Sequence, residues 1–132
     1  PEMIQVANDT IQYQNYSTPH AMTQLLSIFY RDRVLSEESQ TLLFRDMVDS
    51  KTGLGRIKGL LPDGTIVAHK TGTAGTYNGL TRATNDVGIV VLPNGKHLAI
   101  SVFVSDSYAS PKDWDLVIAN IAKSVFDHLM SN

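Results

Sequence analysis

Apolar positions along this chain change their spacing twice. Residues 1–17 hold neither a helical nor a strand period. The stretch QVANDTIQYQNYS is polar, rich in Asn and Gln, and predicts a long loop, a kind of segment that is often functional inside compact domains. Thr18-Pro19 then marks a helix start, a hydroxyl N-cap followed by proline at the first helical position. Ala21, Met22, Leu25, Leu26, Ile28 and Phe29 form a broad apolar stripe at helical spacing that fades near Arg31-Asp32. A second helix is predicted after Ser36, with Glu37 and Glu38 at its positive end, and Leu42, Leu43, Phe44, Met47 and Val48 continuing it. Gly53 and Gly55 are expected to stop it, before a turn-like RIKGLLPDG.

Beyond that point the period shortens. Thr65 to Thr73 and Asp86 to Leu92 read as strands. Pro93-Asn94-Gly95-Lys96 reads as a hairpin turn, since Asn-Gly supplies positive φ angles, and His97 to Val104 as the third strand. Ser110-Pro111 repeats the cap-and-proline signal and opens a last helix to about His128. Its expected apolar face is Leu116, Val117, Ile118, Ile121, Ala122, Val125, Phe126 and Leu129, laid across the antiparallel strands. Two helices, three strands and a helix make an α+β protein.

Composition narrows the function. At 132 residues the chain fits one domain with a real core. A hydrophobic fraction of 42% with 18% charged residues excludes disorder. A net charge of −2 argues against nucleic acid as partner, and no apolar run reaches the length of a membrane span. The absence of Cys removes disulfides, thiol catalysis and Cys-based zinc sites, and His20, His69, His97 and His128 have no metal-ligand spacing. No cofactor is implied. The chain begins at Pro1 without a leader-like stretch, which suggests part of a longer protein.

The string with chemical content is His69-Lys70-Thr71-Gly72-Thr73-Ala74-Gly75. Lys-Thr-Gly on an edge strand sets an ammonium, a hydroxyl and a bare backbone side by side. That set suits a carboxylate, and the Thr73 N–H could point at a developing oxyanion. The tripeptide alone equally fits an ordinary strand ending in a glycine turn. Its surroundings add weight: GRIKGLLPDGTIVAH before it, and ATND, the VGIVVLPNGK hairpin, a strand and a helix after it. With QYQN at Gln12 to Asn15 and HKTGT, this run resembles the C-terminal part of a class A serine β-lactamase, nearest the PER, VEB and CfxA-type branch. The likeness covers essentially the whole chain. It implies residues 1–50 as omega-loop and helical-region part and 51–132 as the α/β-region part of a β-lactamase/transpeptidase-like fold.

The resemblance also assigns roles. Glu2, thirteen residues before Asn15, matches the general base that activates the deacylating water; otherwise it is a solvated terminal carboxylate. Asn15 stands where the family usually has an acid closing the omega loop. Where the family often has a water-holding Asn, four residues after Glu2, this chain has Val6, which has no side-chain hydrogen bond to give. Lys70, Thr71 and Gly72 resemble the substrate-carboxylate strand. Thr73 resembles the residue whose N–H completes the oxyanion hole, and its hydroxyl can also reach the carboxylate. Arg56 resembles the arginine that reaches this carboxylate from a neighbouring turn, with a surface salt bridge as its plain alternative. Thr76 to Arg82 is expected as a mobile loop with Arg82 solvated, Asn85 and Asp86 as a turn entering the second strand, and His69 as a satisfied core histidine.

No Ser in the chain is followed three residues later by Lys, and there is no Ser-Asp-Asn; Ser105-Asp106-Ser107 comes nearest but follows Lys-Thr-Gly. The expected partners are therefore a β-lactam substrate and a complementary N-terminal fragment carrying both elements, without which the chain is inactive. Two other readings remain: a fragment of a penicillin-binding peptidase, and a non-catalytic α+β binding module. The family implies a periplasmic or secreted location.

Overall fold

A computed structural model describes residues 15–32 and 34–131. The elements run α1 (Pro19–Arg31), α2 (Glu37–Val48), β1 (Val67–Thr73), β2 (Thr76–Tyr77), β3 (Leu80–Val91), β4 (His97–Ser107) and α3 (Pro111–Met130). Both cap signals act as expected. The Thr18 hydroxyl accepts from the Ala21 N–H at 3.1 Å, and Ser110 and Asp113 form a reciprocal capping box at the start of α3.

The sheet is antiparallel, with β3 in the middle. β4 pairs with β3 from Thr81 to Val91, so β1 and β2, which also pair with β3, share its other edge. Helices cover both faces. Ile118, Ala122 and Phe126 of α3 bury against Val67, Val90, Ile100 and Val102, together with Ile57 from the segment between α2 and β1. On the opposite face Leu26 and Phe29 of α1 meet Ile89, with Val87, Ala99 and the α2 residues Phe44 and Met47 packed around them. Tyr30 ties α1 to β4 through a 2.6 Å hydrogen bond with His97 Nε2.

Several expectations need correcting. The sheet has four strands, not three, because Thr76 to Arg82 is a hairpin and not a loop. Asn78 and Gly79 take φ +49° and +78° between the paired residues Tyr77 and Leu80, which is a two-residue primed turn. Arg82 bonds Asp106 at 3.0 Å. Asn85 and Asp86 lie inside β3, opposite Gly72 and Thr71, not in a turn before it. In the later hairpin only Gly95 of the Asn-Gly pair has positive φ. α2 ends at Val48, ahead of the glycines expected to stop it.

The α3 face is rotated from the one expected: Trp114, Ile118, Ala119, Ala122 and Phe126 are buried, while Leu116, Val117, Ile121 and Leu129 are exposed. Spacing by four selects the buried stripe, and Trp114 belongs to it because its indole N–H reaches the Ser107 hydroxyl at 3.0 Å. In α1, Leu26 and Phe29 are buried while Leu25 and Ile28 are exposed.

Two outcomes follow from this packing. Ile118 is fully buried, so Ile118→Ala should lower stability by about 3 kcal/mol in urea unfolding. The hydrogen bonds that Ser110 donates hold the Asp113 carboxyl below its ordinary value near 3.8. Its contribution to stability is complete above that ordinary value and fades as pH falls through the lowered folded one. Asp113→Asn should therefore flatten the acid limb of the denaturation midpoint against pH.

Candidate active site

The main chain of β1 divides by parity. The Ala74 N–H donates to Ala83 O at 2.8 Å and the Val91 N–H to Ile66 O at 2.9 Å, and the register between them is unbroken. Even-numbered residues of β1 therefore turn their N–H and C=O groups toward β3, and Val67, His69, Thr71 and Thr73 turn theirs to the open edge. Side chains divide in the same way. Val67, His69, Thr71 and Thr73 share the α3 face. Lys70 and Gly72 share the face toward α1 and α2, and a Cβ added at Gly72 would meet no atom within 4 Å. Among the described residues the Lys-Thr-Gly strand thus offers outward N–H groups at Thr71 and Thr73 and open space beside Gly72. The Lys70 ammonium is exposed and rests on the Thr71 carbonyl at that edge.

Arg56 approaches from the other face. Burial of Ile57 in the core seats the segment that carries it. Its Nε donates to Asp115 Oδ1 at 2.8 Å, one terminal nitrogen spans Gly72 O (3.2 Å) and Asn85 O (2.9 Å), and the other reaches Thr73 Oγ1 at 2.7 Å. Arg56 does form a salt bridge, with Asp115, but not on the surface: it is 8% exposed and clamped to the strand end. The planar fork of a guanidinium can serve these diverging acceptors at once, which an ammonium cannot.

Thr71 is fixed separately, by a 2.8 Å hydrogen bond between its hydroxyl and that of Thr52. Gly53 makes this approach possible: it sits at φ +60°, and a Cβ there would lie 2.4 Å from Thr71 Cγ2. Lys58 donates to Val48 O at 2.9 Å, pinning the same segment to the end of α2. Burial foremost, and then the Lys51 charge, pull the Lys58 ammonium below its ordinary value.

His69 is buried as expected but only half satisfied: Nδ1 lies 3.0 and 2.9 Å from the two Asp86 oxygens, while the buried Nε2 has no hydrogen-bond partner among the described residues. Asp115, Thr52 and Asp86 were not foreseen as parts of this site. Only Asp86 left a signal, an acid at the start of the apolar run Val87 to Leu92. Asn15, Tyr16 and Ser17 line a cavity of about 220 Å³ with Ala83, Asn85, Phe103 and Ser105, on the Gly72 face of the sheet. Glu2 and Val6 lie outside the described residues.

Removing the fork should cost stability as well as any function. Arg56→Ala is expected to lower unfolding free energy by about 2–3 kcal/mol, because it strips Asp115 and two strand carbonyls of a charged donor. Arg56→Lys should recover less than half of that in urea titration.

Comparison with known proteins gives this geometry its context. Residues 2–129 match the model of the beta-lactamase enzyme family. The chain is 47% identical over 120 residues to the extended-spectrum beta-lactamase PER-1 of Pseudomonas aeruginosa, covering 91% of this chain and 39% of that protein. Beta-lactamase VEB-1 of the same organism is 44% identical over 122 residues, with 91% and 41% covered. Among solved structures, the TLA-3 extended-spectrum beta-lactamase superposes with a TM-score of 0.91 at 51% identity, over 95% of this chain and 46% of that one. A beta-lactamase from Chitinophaga pinensis gives 0.91 at 43% identity, over 97% and 47%. The chain spans about two-fifths of the length of these curated relatives. It belongs to the beta-lactamase enzyme family, within class A beside the PER and VEB enzymes, and corresponds to their C-terminal part.

Proposed function

We propose that this chain provides the carboxylate anchor, one oxyanion donor and the general base of a class A serine β-lactamase. The observation that carries the reading is the open edge of β1, where two outward N–H groups, the Thr71 and Thr73 hydroxyls and the cations of Lys70 and Arg56 converge on one strand end. Opposite charge with directed donors is what a substrate carboxylate needs, and a β-lactam carries that carboxylate beside its strained amide.

Lys70, Thr71 and Gly72 hold the carboxylate, with Arg56 adding positive charge through Thr73. A serine oxygen adds to the amide carbonyl, and the charge formed on the carbonyl oxygen is met by the Thr73 N–H. Collapse breaks the C–N bond as the serine's proton is passed on to the nitrogen, leaving an acyl-enzyme ester. Water then attacks the ester while Glu2 takes its proton and returns it to the departing serine oxygen. The serine, its Ser-x-x-Lys lysine and Ser-Asp-Asn come from a complementary N-terminal segment. A periplasmic or secreted location accompanies the reading; no described helix is long and apolar enough to cross a membrane.

The chain coexpressed with a segment bearing Ser-x-x-Lys and Ser-Asp-Asn should hydrolyse a chromogenic cephalosporin, and the chain alone should not. In the assembled pair Lys70→Ala should lower kcat/KM about 100-fold. An inert pair that binds intact antibiotic would replace this reading with that of a binding module.

A further inference from the structure

The two cations of the site enter β1 from opposite faces and from segments far apart in sequence, yet one buried carboxylate touches the neighbours of both. Asp86 Oδ2 accepts from the Ile57 N–H at 3.1 Å, one residue from Arg56. Both Asp86 oxygens face His69 Nδ1, one residue from Lys70. Asp86 and His69 are fully buried. A carboxylate only accepts, so Nδ1 carries the proton and the imidazole ring is oriented by it. Gly88 opposite lets β3 lie close against the main chain at this point: a Cβ there would lie 2.6 Å from Ala68 O and 2.9 Å from His69 Cβ.

From this arrangement we infer that Asp86 is a positioning residue for substrate-carboxylate binding, fixing the Arg56 segment and the Lys70 strand against each other. The inference rests on the proposed activity. Asp86 touches no substrate. It acts because Ile57 and His69 cannot shift independently while both bond one carboxylate, so the distance between guanidinium and ammonium is set at the far side of the strand. In Asp86→Asn a single oxygen remains to accept, and one of the two bonds is lost or reversed.

The test compares a cephalosporin with its methyl ester, which lacks the anion, in the assembled pair. Asp86→Asn should raise KM for the acid about tenfold with kcat nearly unchanged, and leave the ester within about twofold. Asp86→Ala should widen the gap if it folds. An equal fall for acid and ester, or none for either, overturns the inference. A second readout is independent of turnover: the Arg56 Nε–H resonance of the labelled chain should move in Asp86→Asn. If it stays in place the inference fails. If it moves while the wild-type pair hydrolyses nothing, the inference about positioning stands and the proposed activity falls.

Discussion

Among the described residues β1 has a hydrogen-bonding partner strand on one side only, and the arrangement of the site follows from that. Alternation along the strand sends every second N–H and C=O to β3 and the rest to the open edge. The same alternation puts Thr71 and Thr73 with Arg56 on the α3 side and Lys70 on the other. A shift of register by one residue would exchange these faces, leaving Lys70 against Asp86 and turning the Thr73 N–H into the sheet. The core resists such a slip. Val67 and His69 are buried against the Ile57 side, and Gly88 opposite His69 lets β3 approach the main chain of β1 closely.

Helix starts and the α+β order could be read directly because their causes are local. A hydroxyl cap before proline acts within four residues, and both examples behave that way. Three of the four strands were legible, and two of these, β3 and β4, run further than their apolar pattern shows. Arg82 to Asp86 is too polar to show a strand period: Arg82 bonds Asp106 and Asp86 bonds His69, while the Thr84 hydroxyl and the Asn85 side-chain oxygen are buried without a hydrogen-bond partner among the described residues. Asn78-Gly79 carries the same dipeptide that marked the later hairpin, but its flanking residues are too few to look like strands.

The α3 face was misjudged for a different reason. Apolar residues ring most of that helix, so periodicity alone does not choose between the stripe on the sheet and the one exposed. Exposed Leu116, Val117, Ile121 and Leu129 lie on a helix whose other side is already packed. The Lys-Thr-Gly strand was legible as a motif, and its neighbours were not. Thr52, Asp86 and Asp115 come to it through turns and helix packing that no spacing rule encodes. Arg56 was legible only through the family resemblance, and its fourfold clamp depends on Asp115, 59 residues away.

The contact between Gly88 and His69 has a consequence for how this sequence can vary. Any side chain at 88 would put its Cβ against the Ala68 carbonyl and the Cα and Cβ of residue 69, atoms that stay in place whatever non-glycine residue stands there. Position 88 is therefore held to glycine by the spacing of the two strands, while position 69 is held separately, by the hydrogen bond of its ring to Asp86.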